Sequence, residues 1–165
     1  MSESTSAAAP VRLEPGTVAP DFTLADQNGT PTTLSSFRGT KVILYFYGEA
    51  GTPACTQQAC DFNDNLGRFT DEGFQVLGVS RDQVATIAKM VDDKQLTFPL
   101  LADPDRTVHA LYGTFGQKQM YGRTVTGVIR ATFVIDEEGV ISMALYNIKA
   151  TGHVAMLRKK LKLAA

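Results

Sequence analysis

The sequence predicts an α/β protein in which helices flank a central mixed β-sheet. Two β-rich segments are typical of buried strands: Val42–Tyr47, which is continuously apolar, and Phe74–Ser80. Each is followed by a segment whose apolar residues recur at helical spacing. Two later strands, Arg130–Asp136 and Val140–Ile148, are joined by a short acidic turn, and a helix over Gly152–Leu163 closes the chain.

The first elements form an N-terminal extension of this sheet. Asp21–Asp26 and Pro31–Leu34 flank an Asn-Gly pair, which indicates a β-hairpin. Residues 1–12 are rich in Ser, Thr and Ala, and we expect a disordered tail there. Because the rest shows no repeat or linker, residues 13–165 are expected to form a single domain.

A helix is predicted directly after the first central strand. Gly48–Gly51 forms a loop, Thr52 can act as N-cap, and Pro53 suits the first helical position. Apolar residues then recur on one face up to Asp71, which predicts one helix with a buried side. These residues are Ala59, Phe62, Leu66 and Phe69.

The middle of the chain continues the alternation. Val84–Lys94 predicts a second helix, Phe98–Leu101 a short strand, and Thr107–Tyr112 a short helix. The complete order, strands alternating with helices and then a hairpin and a final helix, is that of a thioredoxin-like fold with an N-terminal β-hairpin extension.

Bulk composition excludes several classes of function. Sixteen basic and seventeen acidic residues give a net charge of −1. The chain therefore has no excess of positive charge with which to bind nucleic acid or an anionic membrane. No apolar run approaches the ~20 residues of a membrane helix, and the N-terminus does not resemble a signal peptide, so a cytoplasmic protein is expected. Two cysteines are too few for a disulfide-stapled scaffold.

Cys55 lies where a thiol becomes reactive. It falls in the first turn of the predicted helix, where unpaired backbone N–H groups stabilise an anion. A helix N-terminus or a nearby cation can lower a cysteine pKa from about 8.5 to about 3.5–7.5. Arg130, at the start of a strand that could pair beside the central one, is the leading candidate for that cation, and the Thr52 hydroxyl can share the same pocket.

Cys60 lies five residues after Cys55. On an intact helix this spacing corresponds to about 7.5 Å of rise and roughly 140° of rotation. A disulfide needs Cα atoms within about 7 Å and side chains that face each other. If the two cysteines form a disulfide, the first turns of the helix must therefore unwind.

The segment Thr52–Phe62 resembles the active-site helix of the peroxiredoxin Q branch, also called bacterioferritin comigratory protein. Other segments resemble this family in the same order, so that the resemblance extends over about residues 13–163. They are Ala19–Leu24, Leu34–Gly39, Lys41–Tyr47, Phe98–Asp103 and Gly127–Asp136.

This resemblance implies a thiol peroxidase that reduces hydrogen peroxide and organic hydroperoxides to water and alcohols. It implies that Cys55 attacks the peroxide, that Cys60 forms an intramolecular disulfide with it, and that Thr52 and Arg130 assist the attack. It further implies re-reduction by thioredoxin or a similar dithiol protein, without a metal or organic cofactor. A monomer is expected, because both thiols belong to one chain.

Two positions depart from the family pattern. Gly48 stands where the family carries a proline, and we expect the loop Gly48–Gly51 to be more mobile as a result. Gln58 stands where relatives often carry Glu, which can orient the arginine. Because Gln can still accept a hydrogen bond, a small effect is expected.

Alternative functions remain open from the residues. A peroxide-sensing thiol switch or binding module could use the same Cys55 with little turnover. A dithiol oxidoreductase is disfavoured, since it favours a C-x-x-C pair. A zinc site is disfavoured because His109 and His153 lie far from the cysteines in sequence, and His153 is expected to cap the closing helix instead.

Overall fold

A computed structural model of the chain describes residues 12–48, 52–120, 122–146, 148 and 152–161. Its strands are β1 (Thr23–Ala25), β2 (Pro31–Thr33), β3 (Lys41–Phe46), β4 (Phe74–Ser80), β5 (Leu100–Ala102), β6 (Phe115–Met120), β7 (Arg123–Val128), β8 (Ala131–Ile135) and β9 (Ile141–Tyr146). Its helices are α1 (Pro53–Asp64), α2 (Leu66–Asp71), α3 (Val84–Lys94), α4 (Thr107–Tyr112) and α5 (His153–Lys160). The predicted tail of residues 1–12 lies outside this description, apart from Arg12.

A seven-stranded mixed sheet in the order β2-β1-β5-β4-β3-β8-β9 forms the centre of the fold. The three inner strands β3, β4 and β5 run parallel, whereas the neighbours on both sides run antiparallel to them. The side chains of β3 from Val42 to Phe46 are all buried, as its continuous apolar run predicts. The predicted thioredoxin-like fold with its N-terminal hairpin is confirmed.

Side chains alternate along β3 and divide the core into two layers. Tyr45 and its same-face neighbours pack against buried residues of α1, α2, α3 and α5. Phe46 and its same-face neighbours pack against α4 and the N-terminal segment. Among the described residues, no helix combines the length and the apolar character needed to cross a membrane.

The predicted helix that begins after Thr52 is interrupted, so the expectation of one helix up to Asp71 was wrong. Asn65, with φ −104° and ψ 6°, separates α1 from α2. Its Nδ2 donates to the carbonyl of Asp61 at 2.8 Å, and its Oδ1 accepts from Arg158 Nη1 at 3.0 Å. The helical spacing of the apolar residues nevertheless continues across the break, and Phe69 of α2 packs in the same core as the buried residues of α1.

Two differences concern the segment before β8. The strands β6 and β7 form a separate antiparallel pair that the sequence did not indicate. Strand β8 begins at Ala131, so Arg130 lies immediately before the strand rather than within it. This places Arg130 at the open end of the sheet, since Ala131 pairs with Phe46, the last residue of β3.

Candidate active site

Cys55 is the third residue of α1 and lies in its first turn. The helix begins as predicted, with extended backbone at Thr52 (φ −75°, ψ 150°) and Pro53 at its first position. The Thr52 carbonyl accepts the Thr56 N–H at 2.8 Å, while the Thr52 side chain makes no capping hydrogen bond. Cys55 is 1% exposed, so its sulfur is held against the end of the sheet beside the helix N-terminus.

Arg130 supplies the cation expected beside Cys55. Its Nη2 donates to Cys55 Sγ at 2.9 Å, across 75 positions of sequence. The pairing of β3 with β8 explains this contact, because it brings the residue before Ala131 to the end of β3, where the chain leads toward α1. A guanidinium at this distance favours the thiolate over the thiol, and the N–H groups of the first helical turn act in the same direction.

Gln58 holds the other arm of the guanidinium. Arg130 Nη1 donates to Gln58 Oε1 at 3.4 Å, a long hydrogen bond. Gln58 is fully buried one helical turn after Cys55, and its Nε2 has no hydrogen-bond partner among the described residues. The expected acceptor role of Gln58 is therefore present in the geometry, without the negative charge of a glutamate.

Gly48 lines the site from the end of β3. A β-carbon built on Gly48 would lie 3.5 Å from Arg130 Nη2 and 3.7 Å from Cys55 Sγ. Both distances are ordinary van der Waals contacts, so the position has room for a β-carbon, that of a proline included. The mobility expected for the loop Gly48–Gly51 falls on residues 49–51, which lie outside the described residues.

Cys60 occupies the same continuous helix as Cys55, and both are free thiols. Cys60 is only partly buried, whereas Cys55 is enclosed. With α1 intact, the spacing of five residues keeps the two side chains on different sides of the helix. This structure therefore holds the dithiol state, and a disulfide between the two sulfurs requires part of α1 to unwind.

The second half of α1 is anchored much more firmly than the first. The Phe62 ring is fully buried and stacks on Tyr45, with ring centroids 4.5 Å apart. Asn63 Oδ1 accepts both the backbone N–H and the hydroxyl of Thr97, at 2.8 and 2.9 Å. In the first half, Pro53, Ala54 and Gln57 are exposed. Unwinding that stops before Phe62 thus releases the buried Cys55, Gln58 and Ala59 but leaves the contacts of Phe62 and Asn63 in place.

Two tyrosines that the sequence analysis did not single out pack against the buried side of α1. The rings of Tyr45 and Tyr47 lie side by side with centroids 5.5 Å apart, and both are essentially buried. Burial raises the pKa of Tyr45 well above its ordinary value, and the neighbouring Tyr47 and Cys55 act in the same direction. Burial likewise raises the pKa of Tyr47. Both phenols are therefore neutral. Their spacing of two residues, with Tyr45 in β3 and Tyr47 directly after it, was the signal that could have identified them as neighbours on one face.

His153 does not cap α5, so that expectation was wrong. Gly152 is the N-cap, and the His153 ring turns inward, where its Nε2 lies 2.8 Å from the hydroxyl of Thr132. Burial lowers the pKa of His153 to about 4. In the ranges that the structure describes, no group of three or more His, Cys, Asp or Glu side chains is arranged to hold a metal ion.

Comparison with known proteins adds independent information. Residues 15–144 match the model of the AhpC/TSA family. A protein of Mycobacterium tuberculosis (strain H37Rv) that is named a peroxiredoxin is 57% identical over 150 residues, covering 91% of this chain and 96% of the relative. Peroxiredoxin Bcp of Escherichia coli (strain K12) is 38% identical over 141 residues, covering 86% and 90% of the two chains.

Solved structures show the same similarity. A structure of Xanthomonas campestris peroxiredoxin Q superposes with a TM-score of 0.81 at 33% identity, covering 94% of this chain and 98% of the other. The bacterioferritin comigratory protein of the same organism, studied for its alkyl peroxide reduction activity, gives a TM-score of 0.79 at 34% identity over 86% and 90% of the chains.

Proposed function

Because the chain belongs to the AhpC/TSA family and is a peroxiredoxin, an enzyme that reduces peroxides with a thiol, we propose that Cys55 is its attacking thiolate and Cys60 its resolving thiol. The observation that carries this proposal is the 2.9 Å hydrogen bond from Arg130 to Cys55 Sγ in the first turn of α1.

The first step is the attack of the Cys55 thiolate on one oxygen of a hydroperoxide. A bond forms between sulfur and this oxygen as the O–O bond breaks, and Cys55 becomes a sulfenic acid. The other oxygen leaves as hydroxide or alkoxide and takes up a proton to give water or an alcohol. Arg130 donates hydrogen bonds where this negative charge develops, and the Thr52 hydroxyl orients the peroxide. The substrate class is thus hydrogen peroxide and organic hydroperoxides.

The second step joins the two cysteines. The Cys60 sulfur attacks the sulfur of the Cys55 sulfenic acid, a disulfide forms, and water leaves. This step needs the first half of α1 to unwind, which breaks the hydrogen bond between Arg130 and Cys55. The exposed residues of that half and the firm anchor at Phe62 support local unwinding rather than loss of the fold.

The cycle closes when a dithiol protein, thioredoxin or a similar reductant, reduces the disulfide. One of its thiolates attacks a sulfur of the Cys55–Cys60 pair to form a mixed disulfide, and its second thiol releases the reduced enzyme. Because both cysteines belong to one chain, a monomer completes the cycle without a partner subunit.

Peroxide consumption in the presence of a thioredoxin system tests the proposal. Wild type should turn over many times and Cys55→Ser not at all. Cys60→Ser should consume one equivalent and stop as a sulfenic acid, which mass spectrometry after trapping identifies. Turnover in Cys55→Ser would refute the assignment of the attacking thiol. If wild type also stops after one equivalent although the reductant is active, the chain acts as a peroxide-sensing switch instead.

A further inference from the structure

A buried polar pair lies on the sheet face opposite Cys55. The Nδ1 of His109 and the Oδ2 of Asp103 are 2.7 Å apart, with exposed side-chain fractions of 0% and 2%. The carboxylate can only accept, so Nδ1 carries the proton and donates it to this bond. The thiol chemistry does not use either residue, yet burying such a pair is costly unless its hydrogen bonds are well made.

This pair fixes helix α4 to the ends of two strands. The same Asp103 Oδ2 also accepts the backbone N–H of His109, in the first turn of α4, at 2.8 Å. The backbone N–H of Asp103 in turn donates to the carbonyl of Ser80, the last residue of β4, at 2.8 Å. Asp103 itself directly follows β5.

From His109 a series of hydrogen bonds leads to the residue before Arg130. The His109 carbonyl accepts the N–H of Thr114 at 2.9 Å and its hydroxyl at 3.2 Å. The Thr114 carbonyl accepts the N–H of Ile129 at 2.7 Å. Thr114 and Ile129 are both buried, so water does not compete for these bonds.

A second contact leads to the residue after Arg130. The His109 ring packs edge to face against Phe46, with centroids 5.1 Å apart and an interplanar angle of 73°. Phe46 is the direct partner of Ala131 in the pairing of β3 with β8. His109 is therefore connected to both chain neighbours of Arg130.

We propose that His109, held by Asp103, is a positioning residue for Arg130 and thereby for the reaction of Cys55 with peroxide. This inference rests on the proposed role of Arg130. An arginine side chain has many rotamers, so a 2.9 Å contact with a sulfur depends on where its backbone is held. A displacement of about 1 Å at a reacting group can cost about a hundredfold in rate.

A double-mutant cycle separates positioning from a purely structural role. All variants carry Cys60→Ser, so that Cys55 is the reporting sulfur. The single variants are His109→Leu, which removes the ring and its donor, and Arg130→Met; a third combines the two changes. His109→Asn serves as the conservative variant, because its amide nitrogen occupies the place of Nδ1.

We expect His109→Leu to slow the reaction with hydrogen peroxide about fivefold, a coupling typical of buried networks. It should also move the midpoint of Cys55 thiolate formation to higher pH. In the Arg130→Met background the same change should have less than about a twofold effect, and His109→Asn should restore most of the rate. Tyr112→Phe is the matched control. It removes one hydrogen bond from the same helix, to the Pro20 carbonyl at 2.6 Å, and should leave both readouts unchanged.

The inference would be overturned if His109→Leu slowed the reaction with peroxide by the same factor with Arg130 present and in the Arg130→Met background. An unchanged rate in a folded His109→Leu variant would overturn it as well. If Arg130→Met itself has no effect, the proposed role of Arg130 fails instead, so the two failures are distinguishable. If His109→Leu does not fold, Asp103→Asn, which keeps the side-chain shape but weakens the acceptor, carries the same comparison.

Discussion

Replacing Arg130 by methionine removes both guanidinium donors from the site while it keeps most of the aliphatic stem. The hydrogen bond to Cys55 Sγ is 2.9 Å long and involves a cation and an incipient anion. Such a bond contributes about 1.5–3 kcal/mol, which corresponds to a change of about 10- to 150-fold in the thiol–thiolate equilibrium. A donor aimed at charge that develops in the transition state is worth about 10²–10³ in rate. We therefore expect the second-order rate constant with hydrogen peroxide to fall about a thousandfold or more at neutral pH.

The assay is competition for hydrogen peroxide with a haem peroxidase of known rate, since the chain contains no tryptophan to report oxidation. When the rate constant is measured against pH, the assay separates the effect of Arg130 on thiolate formation from its effect on the transition state. High pH restores the thiolate but not the lost hydrogen-bond donor. Arg130→Lys is the matched control: it keeps the charge but cannot reach Cys55 and Gln58 in the same forked geometry, so an intermediate rate is expected. A rate within about threefold of wild type for Arg130→Met at every pH would refute the reasoning.

Three further predictions concern the framework around the site. Gly78→Ala should lower the free energy of unfolding by about 1–3 kcal/mol in urea titrations, because the new β-carbon would lie 2.6 Å from the Leu100 side chain. Gly67→Ala, which meets nothing within 4 Å, is its control and should not destabilise. His153, with a pKa of about 4 when folded against about 6.5 when unfolded, contributes stability above pH 6.5 that is lost as the pH falls toward 4. His153→Gln should flatten this part of the stability profile, by about 3 kcal/mol at most, and an identical profile would contradict the assignment. Gly48→Pro should slow disulfide closure after one equivalent of peroxide about two- to fivefold by stiffening the chain before α1; an unchanged closure rate would count against the expected loop mobility.

Local signals were sufficient where sequence neighbours determine the structure. The apolar run of β3 and the Thr-Pro start of α1 predicted both elements, and with them the place of Cys55 in a first helical turn. Arg130 was a candidate from its place at the start of a predicted strand, and the family resemblance strengthened that choice; its contact with Cys55 depends on the pairing of β3 with β8, which the sequence does not show directly.

Features that depend on distant partners were missed. The break at Asn65 is stabilised by Arg158, 93 positions away, while the helical spacing of apolar residues continues across it. Strand β6 contains Gly116 and no β-branched residue, and Gly116 pairs with a second glycine, Gly127 of β7, so the local sequence of β6 gives little indication of a strand. The Asp103–His109 pair spans six positions across a turn, and its complete burial depends on packing that the sequence does not show.

Helix α1 is continuous, but we expect its two halves to differ in how easily they unfold locally. Its second half holds the stack of Phe62 on Tyr45 and the Asn63 hydrogen bonds to Thr97, so we expect it to open only when the domain does. Its first half is held mainly around Cys55, so its amide protons should exchange with solvent by a far cheaper local opening. Within this one helix, the amides around Cys55 and Cys60 should therefore exchange faster than those from Phe62 onward. If Cys55 and Cys60 form the proposed disulfide, the protection of the amides before Phe62 should change, so that hydrogen exchange of the backbone would report the redox state of the protein.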